Sequence, residues 1–564
     1  MRLFRLVVIP FLLCLVLDAQ PAHETRAVWL ATNFRLDWPP PVYDEEIQKK
    51  ALIGILDNLV RKNFNTVYFQ VLFNGTAIYK SSIVPMSYYI SGVMDDSSAY
   101  DPLQFMIDEC HKRGLEIHAW INVLRCFTGT EKFVKEHPKH VMSLHPDWTV
   151  EKYIDNQITY WLNPGLPQVR KYWVEIADEI INKYDIDGLQ LDFLRYPSKE
   201  FNDETSFKKF SDKLNKDDWR RQNINIIVNE IHDLIKRENP FLRFGITPIG
   251  IYQNIKDAKG LQGFSDVYQD TKLWLKNGWI DYAVPQIYWD FNNNPKFDVV
   301  ANDWMENSSG KNIVLGIAAY KNEVLRETKK MIQYSRQINS AGVSFFRYDN
   351  IKNLEIASFS KRAFPAKMPW IDDEMPDETE NLYSLVNKEK NSIKLFWNLP
   401  DTANLKNDAF YSAIYKLNDE TGKCSVQNLF ALFPLEKESI QFSIKNPKKI
   451  NYFFTMKTLD RFWNESLARS NVVKFSIPYL SEIVKEFNSS NKPVLIKNTD
   501  AEFFIMLYSE TNQNAEFDFN NGSVHFSWNL QRGINTIQTG AKITDLHSAK
   551  IFYPESDKSV SLIK

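Results

Sequence analysis

Eight short β-rich apolar runs alternate with eight longer amphipathic stretches between residues 26 and 364, and this alternation predicts an α/β chain built on a closed (β/α)8 TIM barrel. Two further observations agree. The chain, at 564 residues, is too long for one core, and beyond residue 381 its pattern changes to short alternating runs, which predicts one or two small all-β sandwich modules behind the barrel. A doubly wound open sheet is the rival, but it normally stops at about five or six strands, and no glycine-rich phosphate turn follows the first run.

In chain order, Met1-Arg2-Leu3-Phe4-Arg5 is basic, 6–17 is apolar, and Asp18-Ala19-Gln20 supplies a small residue for cleavage, so 1–22 is expected to be a signal peptide. The protein is then expected to be exported to the periplasm, the outer surface or the medium. Leu12 and Leu13 precede Cys14 where a lipidated cysteine wants a small residue, so a lipid anchor is the less favoured reading. The barrel is assigned to 23–365. Its strands are predicted at 26–31, 66–71, 115–122, 188–192, 243–248, 280–288, 312–318 and 342–346. Its helices are predicted at 44–62, 102–113, 167–183, 218–238, 270–277, 300–307, 322–339 and 352–363. Three long loops, 74–100, 124–165 and 197–217, each follow a strand and so belong on the C-terminal rim, where such barrels place their sites. Residues 366–381, rich in Pro, Asp and Glu, read as a linker. In 382–476 the run Asn391–Asn398, the position of Trp397 and the turn Asp460-Arg461-Phe462-Trp463-Asn464-Glu465-Ser466 resemble a fibronectin type III module. Residues 477–564, with turns at Asn520-Asn521-Gly522 and Gln531-Arg532-Gly533, predict another small sandwich.

Composition excludes some functions. Lys and Arg number 68 against 70 Asp and Glu, without a basic run, so the electrostatic footprint of a nucleic-acid binder is missing. The apolar run 6–17 is too short to remain as a membrane span. Beyond the leader, Cys110, Cys126 and Cys424 are odd in number and lack metal-ligand spacing, so neither a disulfide framework nor a zinc site is expected, and the sequence as a whole implies no metal or organic cofactor.

Candidate site residues are those at the C-terminal ends of strands. Asp192 ends the fourth strand, where Leu189 and Leu191 alternate with Gln190 and Asp192, so the polar pair points into the barrel mouth. Burying that carboxylate costs several kcal/mol unless it is paired or functional, and Arg195 is close enough in sequence to hold it ionised. Other rim positions mix amides with aromatics: Gln70 and Asn74 after the second strand, His118, Trp120 and Asn122 on the third, Tyr196 after the fourth, and Gln286, Tyr288 and Trp289 on the sixth. Aromatic faces suit the C–H side of a sugar ring and amides its hydroxyls, which makes a glycan the expected ligand. Hydrolysis of a glycosidic bond usually needs a second carboxyl group. Asp290, just past the sixth strand, and Asp270 are the candidates, although Asp270 also reads as a helix cap, Asp290 as an ordinary rim aspartate, and His118 as a buried interior imidazole.

The motifs Glu24-Thr25-Arg26-Ala27-Val28-Trp29-Leu30, Asn65 to Val71, His111 to Trp120, Leu162-Asn163-Pro164-Gly165, Asp187-Gly188 through Pro197, Asp218-Trp219-Arg220-Arg221 and Pro285-Gln286-Ile287-Tyr288-Trp289 resemble the glycosyl-hydrolase-like 10 family over roughly 24–350. That resemblance implies an exported bacterial (β/α)8 barrel, a glycan substrate that includes cell-wall glycan strands, and the family's fourth-strand aspartate at Asp192. Three departures alter the rim: Leu72-Phe73 where the family often has Arg-Pro, Thr76 where it has aspartate, and Val123-Leu124 where it has Pro-Tyr. The expected activity is therefore glycoside hydrolysis, with Asp192 as nucleophile or general base. A carbohydrate-binding barrel without turnover and a lyase or transglycosylase on the same fold remain as alternatives.

Overall fold

Eight parallel strands close on themselves in the computed structural model, which describes residues 20–154, 156–378, 382–387, 392–397, 409–437, 439–443, 451–476, 494–497, 502–520, 524–542 and 548–562. The strands are β1 (Thr25–Leu30), β2 (Thr66–Phe73), β3 (Glu116–Asn122), β4 (Gly188–Asp192), β5 (Arg243–Ile246), β6 (Tyr282–Ala283), β7 (Asn312–Ile317) and β8 (Gly342–Phe345). They pair in sequence order, and β1 pairs with both β2 and β8 to complete the barrel. Most of the signal-peptide segment, including Cys14, lies outside the described residues, as do 379–381, 477–493 and 521–522. Residues 20–22 belong to the barrel's hydrogen-bonded shell: Gln20 donates to Ser358 O and accepts from Lys361 N, and Ala22 O accepts from Phe364 N.

The period-2 alternation works as read. Outward residues such as Leu189 and Leu191 pack against the helices α1 (Glu45–Arg61), α2 (Pro102–His111), α3 (Pro167–Lys183), α4 (Lys216–Glu238), α5 (Thr271–Lys276), α6 (Phe297–Glu306) and α7 (Thr328–Gln337) in the large apolar cluster. Inward residues form a second cluster of Ala27, Trp29, Tyr68, Trp120, Tyr282 and Val314. Glycine makes room for these rings: a Cβ on Gly188 would stand 2.2 Å from the His118 ring, and one on Gly245 2.1 Å from Tyr282.

Two predicted elements differ. The sixth strand was expected over 280–288 but is regular only at Tyr282–Ala283 and continues as isolated bridges at Gln286, because Pro285 has no N–H for the ladder. The eighth helix, expected over 352–363, is replaced by single turns at Tyr348–Ile351 and Ala357–Phe359. The carbonyls there serve tertiary partners instead: Ser358 O accepts from Gln20 and Arg336, Phe359 O from Asn63, and Lys361 O from Arg26.

The long loop after β3 folds into a three-stranded antiparallel sheet of Arg125–Thr128, Thr149–Ile154 and Gln157–Leu162 beside the mouth. Behind the barrel, 382–476 forms one sheet of three strands and another of four, which share a cluster including Leu395, Trp397, Ile414 and Phe454. Two further small antiparallel sheets follow over 494–561, with Phe517, Phe519 and Ile551 among their buried residues.

The stretch read as a linker packs under the barrel. Met368 and Phe462 join the inward cluster at its floor, and Trp370 donates to Asp281. Trp463 donates to Glu116 at 2.9 Å and stacks on Phe364 and Tyr411. The turn at 460–464 thereby closes the N-terminal end of the barrel, leaving the opposite end for a ligand.

Candidate active site

Asp192 sits at the top of β4, only 6% exposed, opposite Asn122 in register. Its carboxylate accepts from the Phe193 backbone N–H at 2.7 Å and from Trp120 Nε1 at 3.2 Å. Phe193 has φ 51, a left-handed conformation that few non-glycine residues adopt, which marks the turn after Asp192 as locally strained. Burial pushes the Asp192 carboxyl up to about 6, with the Phe193 N–H, Arg195, Trp120 and Arg125 offsetting only part of it. Arg195 acts on it across space: among the described residues no ion-pair contact to Asp192 is formed. Arg195 therefore lies close enough to act on Asp192 without pairing with it directly. The Arg195 guanidinium instead lies 5.1 Å from the Phe193 ring centroid and 5.6 Å from that of Trp161, and Arg125 stacks on the same Phe193 ring at 5.1 Å.

Facing Asp192 is an aromatic wall. Phe346 contacts Trp29, Trp120, Tyr288 and Tyr320, and the proximity of Asp192 adds to the burial that holds the Tyr288 hydroxyl well above its ordinary pKa. Gln286, Tyr288 and Trp289 are partly exposed at the end of the sixth strand, as expected of rim residues.

Several sequence candidates are occupied by the fold itself. Gln70 accepts from the backbone N–H groups of Thr32 and Asn33 and donates weakly to Asn122 Oδ1. Asn74 bridges Asn33 and Thr128, and its carbonyl meets the buried His140, whose pKa burial lowers to about 4. Gln190 accepts from Trp29 Nε1 inside the barrel, and His118 shares a 2.6 Å hydrogen bond with the Tyr282 hydroxyl, so both are interior residues. Tyr196 is fully buried against Phe201, Tyr268 and Arg220 and does not reach the mouth. Its β4-proximal position placed it among the binding residues; the positive-φ turn at Phe193 sends it behind the barrel wall.

The two candidate acids have structural employment. Asp270 caps α5 by accepting from Leu273 N and also accepts from the Tyr252 hydroxyl at 2.7 Å. Asp290 accepts from the backbone N–H groups of Asn293 and Asn292 and from the Asn293 side chain, and these bonds hold its pKa below the usual carboxylate range. A carboxylate so stabilised is a poor proton donor. Asp37, buried, is bound by Arg347, Ala31 N and Asp349 N, and joins the loops after β1 and β8.

Sequence reading missed Phe346, Arg125 and Trp161 as site residues. Period-2 alternation along β8 would have found the first. Arg125 and Trp161 carried no such signal, because they reach the mouth only through pairing within the loop sheet. Cys110 and Cys126 are buried free thiols, Cys424 is a free thiol, and no cluster of metal ligands occurs among the described residues. No helix among them is long and apolar enough to cross a membrane.

Comparison with known proteins fits this geometry. Residues 24–335 match the family described as glycosyl hydrolase-like 10. The chain belongs to that family. It is 32% identical over 494 residues to glycosyl hydrolase YngK of Bacillus subtilis, covering 81% of this chain and 94% of that one. It is 34% identical over 331 residues to glycosyl hydrolase DigH of Escherichia coli, covering 54% and 74%. Among solved structures it is similar to the catalytic domain of β-amylase from Paenibacillus polymyxa at 11% identity, covering 63% and 97% with a TM-score of 0.40, too distant to add to the fold already described. A glycoside hydrolase-type function is thus supported for the family member described here.

Proposed function

We propose that the chain is an exported glycoside hydrolase that cleaves a polysaccharide or cell-wall glycan lying across the barrel mouth, with Asp192 at the reacting centre. The observation that carries this reading is a buried carboxyl at the end of β4, shifted to about 6 and free of any ion-pair contact among the described residues. Such a group exists in both protonation forms near neutrality, which suits proton transfer better than permanent ionisation would. Trp120 and the Phe193 N–H orient it. Tyr288, Tyr320 and Phe346 offer rings to the sugar, and Asn122, Gln286 and Trp289 border the same opening. The basic start and apolar run of the sequence support export. The arrangement of three strands against four in 382–476 supports a fibronectin type III-like module, and the sheets over 494–561 a second sandwich.

The engagement of Asp270 and Asp290 favours one rival, a glycan-binding barrel without turnover. Both readings are tested by incubating residues 20–564 and an Asp192→Asn variant with peptidoglycan strands and a panel of α- and β-glycans, reading released reducing ends and product masses. Hydrolysis predicts release by the unsubstituted chain that falls about a hundredfold or more in the variant. Binding by both proteins with release by neither leaves the non-catalytic barrel, and an unsaturated or anhydro product would mean a lyase or transglycosylase.

A further inference from the structure

At the barrel's N-terminal end, a full strand's length from Asp192, lies a cavity of about 500 Å³ that hydrolysis at the mouth does not use. Its walls come from the segment before β4 (185–187), the segment between α4 and β5 (239–242), and residues 409–410, 435 and 461 of the module that follows the barrel. The volume falls in the range of small-ligand pockets, roughly 300–1,000 Å³. Barrels of this kind do their chemistry at the other end, so a ligand here is held rather than transformed.

The charges in the wall favour a neutral ligand. Among the described residues lining the cavity are two arginines and two aspartates, and each is already matched within the protein. Arg461 Nη2 donates to both oxygens of Asp185 at 2.6 and 2.5 Å, Arg243 pairs with Glu116 at 2.9 Å, and Asp187 pairs with His111 at 3.0 Å. An ionic ligand has to break one of these pairs, whereas an uncharged one leaves them intact. The groups still unused are of the kind that sugars engage. Phe241 is 45% exposed and meets the Phe462 ring on one side at 6.3 Å. Its turn is fixed by Pro240 and by the hydrogen bond from Leu242 N to Asn239 O. The Asn239 side-chain amide makes no hydrogen bond among the described residues. Asp185, 58% exposed, keeps acceptor capacity beyond its two bonds from Arg461, whose guanidinium is stacked 4.0 Å from the Phe410 ring centroid. An aromatic face, a free amide and a carboxylate already neutralised by its neighbour form a wall suited to an uncharged sugar ring.

We propose that this cavity is a second glycan-binding site, remote from Asp192, which takes a neutral sugar unit with its C–H face on Phe241 and its hydroxyls on Asn239 and Asp185. The kind of ligand rests on the glycoside hydrolase reading, but the site itself does not depend on turnover. It keeps a long or insoluble strand on the protein between cuts at the mouth.

The test is affinity electrophoresis of the full chain carrying Asp192→Asn through gels containing hydroxyethylcellulose, glycol chitin or soluble starch, with polygalacturonate as the acidic comparison. The site predicts retardation by at least one of the neutral polysaccharides. Phe241→Ala should raise the apparent Kd for that polysaccharide about tenfold, Asn239→Ala should raise it less, and Phe241→Tyr should leave it nearly unchanged. Phe241 is exposed and Asn239 half-buried, and an unchanged thermal midpoint shows that the variants fold. With Asp192 intact, Phe241→Ala should leave kcat/KM on a short soluble oligosaccharide within about twofold, while slowing release from the insoluble form of the same glycan about fivefold or more. Absence of retardation in every neutral gel, or retardation that Phe241→Ala leaves unchanged, overturns the site. Stronger retardation by polygalacturonate that Phe241→Ala abolishes overturns the assignment of a neutral ligand. Failure of the glycoside hydrolase reading looks different: the unsubstituted chain cuts no glycan, while the retardation that depends on Phe241 persists.

Discussion

Asp187 and Asp192 flank the same short strand, one at the floor of the barrel and one at its mouth, and their environments are opposite. At the floor, burial alone would raise Asp187, but His111, Arg461 and Arg243 outweigh it, and its pKa falls far below the usual range. Its Oδ2 also meets Ile117 N at 2.9 Å and His111 Nε2 at 3.0 Å. Glu24 with Arg26 and Arg336, and Glu116 with Arg243 and Trp463, are satisfied in the same way. At the mouth, Asp192 receives two hydrogen bonds and no ion-pair contact among the described residues, and it rises to about 6. Asp187 is paired until ionisation is favourable, whereas Asp192, at the strand's C-terminal end, is not, and that is the position where such barrels place their chemistry.

The largest effect that would sharpen this contrast is on stability. Asp187→Asn leaves His111 without its buried counter-charge and strips Arg461 of one of its two carboxylate partners, and should cost about 3 kcal/mol or more, measured by denaturant unfolding. Phe462→Ala opens a cavity where the 460–464 turn enters the barrel floor and should cost about 3 kcal/mol, with the barrel and the 382–476 module losing their common transition in calorimetry. A loss below about 1 kcal/mol in both would mean that the floor is not the structural end.

The pH dependence separates the two aspartates by sign. The folded pKa of Asp192 is raised, so its contribution to stability is greatest below its unfolded value, near 4, and is lost as pH climbs through about 6. Asp192→Asn should therefore gain relative stability between pH 4 and pH 7, on the order of 2 kcal/mol, read as the difference in thermal midpoints. Asp187 runs the other way: its depressed pKa stabilises the fold above the ordinary carboxylate range, and that stabilisation fades as acid protonates it. The smallest expected change is at Asp270. Asp270→Ala removes the cap of α5 and should cost about 1 kcal/mol while turnover stays within about twofold. A hundredfold fall in turnover there would return Asp270 to the reaction.

The mouth was legible in the sequence where the signal was local. Alternation of Leu189 and Leu191 with Gln190 and Asp192 is enough to aim Asp192 inward, and eight such units are enough to close a barrel. The same alternation does not tell how far along the strand a residue sits, so Gln190 and His118 looked like site residues although they lie in the interior. Asp270 and Asp290 could not be separated from catalytic acids because capping bonds come from backbone N–H groups, which every residue has. The floor was hidden for another reason. Glu116 and Trp463 are 347 positions apart, and nothing in a Pro-rich acidic stretch reveals that it packs beneath a barrel. Arg195 lies near Asp192 as its sequence position suggests, but its place beside Phe193 and Trp161 depends on a loop sheet that sequence registers only as length.

The most direct test of the contrast is the kcat/KM of Asp187→Asn and Asp192→Asn side by side, on a glycan that the unsubstituted chain cleaves and at a temperature where both variants are folded. The account predicts a loss of about a hundredfold or more for Asp192→Asn and a value within about threefold of the unsubstituted chain for Asp187→Asn. Comparable losses in both, or a loss confined to Asp187→Asn, would contradict it.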